Sequence, residues 1–298
     1  MKIGMVGLGR MGGHMTLRLL EAGHEVHVYD KNPEASDQFA SKGAHPAGDL
    51  RELVASLGQP AVVWVMVPAG DVTEETLSEL AKLMSPGDLV IDGGNSYFED
   101  SVRRAASMRE RGVRFLDAGT SGGIWGLQNG YGLMVGGDDD AYALAEPALT
   151  SLAPEGGLVH TGPAGSGHFV KMVHNGIEYG LLQAYAEGFE LLKGADWPLD
   201  LGAIAKAWTK GTVIRSWLLE LLADALRDDP GLDRVRGYVD DSGEGRWTVL
   251  EAVKRGVPMT VTAHALSQRF LSRQDEGFQA KVIAALRHEF GGHEVKTT

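Results

Sequence analysis

Lys2-Ile3-Gly4-Met5-Val6-Gly7-Leu8-Gly9-Arg10-Met11-Gly12 is the stretch that decides the fold. A short apolar run ends in a G-x-G-x-x-G spacing, and Met11–Ala22 then follows with apolar residues at helical intervals. A second short apolar run, Glu25–Asp30, closes on an acid. Strand, glycine loop, helix, strand and acid in this register form the fingerprint of a dinucleotide-binding βαβ unit. Gly7 permits the tight turn, Gly9 lets the backbone approach a pyrophosphate, and Gly12 allows close helix–strand packing. Leu8, Arg10 and Met11 complete the loop, whose helix offers unpaired N–H groups to a diphosphate. Asp30 is suited to accept hydrogen bonds from both ribose hydroxyls and to repel a 2′-phosphate, which favours NAD over NADP. Lys31 beside it weakens that preference, and Asp30 as a plain polar strand terminus stays open.

Working outward, short apolar runs recur at Ala61–Val67, Leu89–Asp92, Arg114–Asp117 and Gly132–Val135, with amphipathic stretches at Glu34–Ser41, Val72–Leu83 and Phe98–Arg111. Strands alternating with helices imply a mainly parallel sheet covered on both faces. Glycine and proline then cluster in Thr161-Gly162-Pro163-Ala164-Gly165-Ser166-Gly167, which reads as a hinge. Beyond it the spacing is helical: about His168 to Lys193, then Leu201–Trp208, Val213–Leu226, Arg246–Arg255, Thr260–Ser272 and Gly277–Phe290. The expected architecture is an α/β Rossmann-type domain over residues 1–161, followed by an all-α domain over 162–298 for substrate binding and oligomerisation.

The chain has 298 residues, with 28 Lys and Arg against 40 Asp and Glu, a net charge of −12. That balance argues against nucleic acid or an anionic membrane surface as partner. It leaves room for a small anion held by a few local cations. No cysteine is present, which excludes disulfides, thiolate metal sites and cysteine nucleophiles. No apolar run suits a membrane span. The first residues already read as a strand, so no signal peptide is expected and a cytoplasmic location is.

Gly165 through Gly180 is the chemically richest segment. At about 100° per residue, Lys171, Asn175 and Glu178 fall on one helical face with His174 flanking it. A lysine and a glutamate on one helix commonly form a solvated pair. Here they follow a glycine-rich hinge in an otherwise apolar stretch containing Asn175, Gly176 and Gly180, which weaken it as a plain helix. That argues for a helix lining a cleft.

The sequence resembles 6-phosphogluconate dehydrogenase, within the wider β-hydroxyacid dehydrogenase group. Gly7–Gly12 and Ser121-Gly122-Gly123 are shared across the group. Asp92-Gly93-Gly94-Asn95-Ser96 and Lys171-Met172-Val173-His174-Asn175-Gly176-Ile177-Glu178-Tyr179 are more specific. The resemblance implies that Lys171 takes the proton from the 3-hydroxyl as hydride passes to NAD, and that Glu178 later protonates carbon 1 of an enediol. It implies sugar-acid contacts from Asn95, Ser121, Gly122, Gly123, His174 and Asn175, and phosphate contacts from Tyr179 and Arg269. Pro68, Ala69, Gly70 and Asn95 are expected beside the cofactor. No metal is implied.

Arg287-His288-Glu289-Phe290-Gly291-Gly292-His293 resembles the family's tail, whose Arg and His enter a neighbouring subunit's site. Arg287 and His293 would then make this chain at least a homodimer or homotetramer. The rival is a frayed terminus. The chain departs from the longer NADP-using members: Ser242-Gly243-Glu244-Gly245-Arg246-Trp247-Thr248 stands where they carry Lys-Gly-Thr-Gly-Lys-Trp-Thr. One cation is lost there, and Arg246 is a candidate replacement. Two other readings remain: a β-hydroxyacid dehydrogenase that does not decarboxylate, and a non-catalytic NAD-binding protein.

Overall fold

The computed structural model describes residues 1–296. Residues 297 and 298, which end the predicted second domain, and the Phe290 side chain of the tail motif lie outside the described residues. By packing, the chain forms two compact units, Met1–His174 and Asn175 onward.

The first unit holds β1 (Lys2–Val6), α1 (Arg10–Glu21), β2 (Glu25–Tyr29), α2 (Pro33–Ala40), β3 (His45–Pro46), α3 (Leu50–Leu57), β4 (Val62–Val65) and α4 (Asp71–Leu83). It continues through β5 (Leu89–Asp92), α5 (Phe98–Glu110), β6 (Arg114–Ser121), a short α6 (Gly126–Asn129), β7 (Gly132–Gly137), α7 (Asp139–Leu152) and β8 (Leu158–Gly162). The strands form one sheet in the order β3-β2-β1-β4-β5-β6-β7-β8. All pairings are parallel except that of β6 with β7.

Both faces of the sheet are buried, and the strands alternate between two apolar layers. Ile3, Met5, Val62, Trp64, Leu89 and Ile91 face a layer completed by Met15 and Leu19 of α1 and Ala145 and Leu149 of α7. Val6, Val63, Val65 and Val90 face the opposite layer, filled by Leu50, Leu53 and Leu57 of α3, Leu77 and Leu80 of α4 and Met108 of α5. Two buried faces explain why these strands read as continuous apolar runs.

The expected α/β domain followed by helices is the observed order. α8 (Ser166–Lys193) is a 28-residue helix that begins in the first unit and continues into the second. The second unit adds α9 (Leu201–Trp208), α10 (Trp217–Asp228), α11 (Glu244–Arg255), α12 (Thr260–Leu271) and α13 (Phe278–Gly291). Phe189, Ala205, Leu219 and Leu226 join α8, α9 and α10, while Tyr179, Ala265 and Leu266 join α8 and α12. α10 starts later than the predicted Val213, because Ser216 caps it by accepting from the Leu219 N–H at 3.1 Å. Among the described residues, no helix is long and apolar enough to cross a membrane.

Candidate active site

The glycine loop follows β1, at the point where the sheet order turns outward to β2 on one side and β4 on the other. Open α/β sheets bind ligands at the carboxyl ends of strands at such a switch point. Gly7 has φ +90°, and a Cβ there would lie 2.3 Å from the Met66 carbonyl oxygen. A Cβ on Gly12 would lie 2.0 Å from the Gly7 carbonyl oxygen, whereas one on Gly9 would meet nothing within 4 Å. Two glycines thus close the turn, and the third leaves the backbone open to an incoming group.

α1 begins at Arg10 without a side-chain cap and without an acidic residue in its first turn. The neighbouring α2, α3, α4, α5 and α7 all carry acids there. The unneutralised N–H groups and positive helix end suit a diphosphate. Asp30 sits beside them, its Oδ2 accepting from the Leu8 N–H at 2.7 Å and its Oδ1 from the Asn32 N–H at 2.9 Å. It therefore shapes the loop. Lone pairs remain on both oxygens for ribose hydroxyls. Pro68, Ala69 and Gly70 are exposed after β4, the parallel neighbour of β1, and Thr73 Oγ1 donates to the Pro68 carbonyl at 2.8 Å. The residues present fit a dinucleotide.

Asn95 lies half-buried in the loop after β5, and that loop is braced from within the protein. Asp92 is fully buried; its Oδ2 accepts from Ser96 Oγ at 2.9 Å and from Arg104 Nη1 at 3.0 Å, and its Oδ1 from the Gly94 N–H at 3.2 Å. Arg104, itself only 4% exposed, also donates to Glu74 on α4 at 2.9 Å. Arg103, with Arg104 behind it, holds the Glu74 carboxyl down to about 2. A carboxyl depressed from 4.5 contributes stability above that value and loses it as pH falls towards 2. Glu74→Gln is accordingly expected to unfold more easily than the parent at pH 7, with the gap closing between about pH 4.5 and 2. Denaturant melts across that range measure it.

Lys171 is 8% exposed on α8 and rests directly on β6, where a Cβ on Gly119 would come within 2.4 Å of the Lys171 Cβ. The start of α8 is fixed by the buried Asp117, whose two oxygens accept from the Gly165 N–H at 2.6 Å and the His168 N–H at 2.7 Å. His168 Nδ1 lies 2.7 Å from Ser101 Oγ on α5. A Cβ on Gly167 would strike the Asp117 and Met134 carbonyl oxygens, so the helix can sit this close to the sheet only with glycine there. Ser121 ends β6 with its Oγ 3.4 Å from His174 Nε2, and Gly122 and Gly123 follow with positive φ. Sequence reasoning had singled out Lys171, Ser121 and His174, which the structure places on α8 and at the end of β6. It missed Asp117, Arg104, Ser101 and His168, whose partners are distant in the chain.

In the second unit, Asn175 and Glu178 are half-buried on the continuing helix and Tyr179 is 5% exposed. The Arg269 guanidinium stacks 3.5 Å from the Tyr179 ring centroid, and Nη1 donates to the Asp240 carbonyl at 2.8 Å. Tyr179 Oη is buried without a hydrogen-bond partner among the described residues. A phenol in that state beside a guanidinium is prepared to donate to an anion. Gly245 packs so tightly on the same ring that a Cβ would come within 2.4 Å. Arg246, the candidate replacement cation, is committed to Asp241 by two bonds of 2.8 and 3.0 Å, and Arg273 reaches the same carboxylate at 2.7 Å. Arg246, with Arg273 assisting, holds the Asp241 carboxyl well below the usual range. Arg287 and His293 are exposed at and beyond the end of α13.

Residues 2–162 match the family model described as the NAD binding domain of 6-phosphogluconate dehydrogenase, and residues 167–298 match its C-terminal domain. The chain belongs to the 6-phosphogluconate dehydrogenase family. A Haloferax volcanii protein named 6-phosphogluconate dehydrogenase, NAD(+)-dependent, decarboxylating is 47% identical, the match covering 99% of this chain and 98% of that one. The putative 6-phosphogluconate dehydrogenase YqeC of Bacillus subtilis is 44% identical over 98% of both. The Plasmodium falciparum 6-phosphogluconate dehydrogenase structure, determined in apo form and with NADP+ and with 6-phosphogluconate, superposes with a TM-score of 0.85 at 29% identity. It is matched by the whole of this chain over 66% of its own length.

Proposed function

We propose that this chain converts 6-phosphogluconate to ribulose 5-phosphate and carbon dioxide with NAD as the hydride acceptor. The observation that carries the reading is Lys171, buried against β6 on the helix that next presents Asn175 and Glu178. NAD, when bound, accepts the hydride from carbon 3 of the sugar acid. Lys171 removes the 3-hydroxyl proton as the general base. Loss of carbon dioxide from the resulting β-keto acid drives electrons onto the carbon 3 carbonyl oxygen, which protonated Lys171 protonates to leave an enediol. Glu178, about 10 Å further along the helix axis, supplies the proton to carbon 1 while Lys171, neutral again, takes the enediol hydroxyl proton. A simple hydride transfer needs no such second acid.

Asn95, Ser121, Gly122, Gly123, His174 and Asn175 orient the sugar acid in this reading. Tyr179 and Arg269 take the phosphate, the guanidinium fork binding two oxygens at once. Arg246 is not the substitute for the missing lysine, since Asp241 occupies its fork. Residues 1–161 would hold the cofactor and 162–298 the substrate and subunit contacts. Arg287 and His293 would complete the site of a second copy of the chain. Support for a homo-oligomer comes from α8, where Ile177, Leu181 and Leu191 share a face and are 57%, 44% and 79% exposed.

The test follows NADH and carbon dioxide together on 6-phosphogluconate, with NADP as comparison. One carbon dioxide per NADH and a clear preference for NAD are expected. NADH without carbon dioxide defeats the decarboxylase, and equal rates with NADP defeat the role of Asp30.

A further inference from the structure

We propose that Glu25, His27 and His45 form a binding site for a divalent transition ion of the zinc class, which clamps the edge strand β3 to β2. His27 and His45 are register partners across the parallel β2–β3 pair, and their rings stack at 4.8 Å with planes 29° apart. Glu25 stands two residues before His27 and so projects from the same face of β2. One ligating atom from each of the three lies within 4.8 Å of the others.

The hydrogen bonding around His27 identifies the free lone pair. Ser56 Oγ on α3 donates to the Leu53 carbonyl at 2.7 Å, which uses its only proton. At 2.8 Å from His27 Nδ1, the same oxygen must then accept, so Nδ1 carries the hydrogen. In the neutral ring Nε2 is left with a bare lone pair, facing Glu25 Oε1 at 3.0 Å. Two acceptors that close need a cation between them, either a proton or a metal ion. A histidine whose other nitrogen donates to a neighbouring oxygen is the usual oriented metal ligand.

Two imidazoles and a carboxylate suit zinc, with water in the fourth position. Glu25 and His45 are exposed, so an ion can reach both from solvent. The competitor is Lys2, whose Nζ lies 2.9 Å from Glu25 Oε1 and 3.2 Å from the Ser56 carbonyl. An arriving ion replaces one cation by another at Glu25. β3 has only two residues and edges the sheet, so a bond from His45 across to β2 would secure its weakest pairing.

Titration of the untagged full chain with zinc chloride, read by calorimetry and by unfolding temperature, tests the site. One ion per chain and a raised unfolding temperature are expected, with both lost in His45→Gln, whose exposed side chain the fold does not need. Ser56→Ala should weaken binding about 10–100-fold. Lys2→Met should bind more tightly than the parent. Failure of the parent chain to take up zinc overturns the proposal. So does uptake unchanged in His45→Gln, which would place the ion elsewhere.

Discussion

Lys171→Met is expected to lower kcat for 6-phosphogluconate by about 10²–10⁴-fold, the usual contribution of a positioned general base. Methionine keeps the length and apolar stem of the side chain while removing the proton acceptor. Its Cβ stays where Lys171 rests against Gly119, so the seat of α8 on β6 is undisturbed. NAD binding should persist, because the glycine loop and Asp30 belong to the opposite side of β1 from β6 in the strand order or to β1 itself. Steady-state rates alongside NAD titration separate the two effects. A variant retaining a tenth or more of the parent kcat would remove Lys171 from the chemistry. Loss of NAD binding together with turnover would show a structural failure instead.

The features legible in the sequence were those whose signals are local. β1, its glycine loop and α1 carry their reading in consecutive residues, and so does the apolar periodicity of α8. β3 escaped because two residues ending in Pro46 carry no strand pattern. α3 escaped although its signal is present: Asp49 accepts from the Glu52 N–H at 2.7 Å, and Leu50, Leu53 and Leu57 face the core. α7 hides behind Pro147 within the helix and behind four scattered alanines, three of which fill buried positions. β6 runs on to Ser121, four residues past its predicted end, because antiparallel pairing with β7 extends it and no local pattern encodes that partner.

The site divides along the same line. Lys171, Asn175 and Glu178 were visible because a helix brings residues at regular spacing to one face. The buried acids that hold the surrounding backbone were not, since Asp117 meets Gly165 and His168 from 48 and 51 residues away. Asp92 was quoted only as part of a family block, and its partner Arg104 lies on the following helix looking like an ordinary surface cation. A buried carboxylate at a strand's end is a request for such a partner. It does not say where in the chain the partner lies.

Arg104→Met should therefore be among the most damaging single changes outside the reacting groups. Among the described residues it removes the only cationic partner of Asp92, a side chain with no exposed surface, while leaving the carboxylate in place. Breaking a buried pair from one side costs about 3–5 kcal/mol, because the remaining charge is left without compensation. The double variant Arg104→Met with Asp92→Asn should recover part of that loss, since the stranded charge goes with its partner. Activity should not recover in parallel. Arg104 Nη1 also holds Ser96 Oγ at 3.0 Å, and that contact fixes the loop bearing Asn95. Urea melts and steady-state kinetics on the two variants distinguish the roles: stability regained with KM still raised marks Arg104 as a positioning residue for the Asn95 loop. Parallel recovery of both would reduce it to a structural counter-ion.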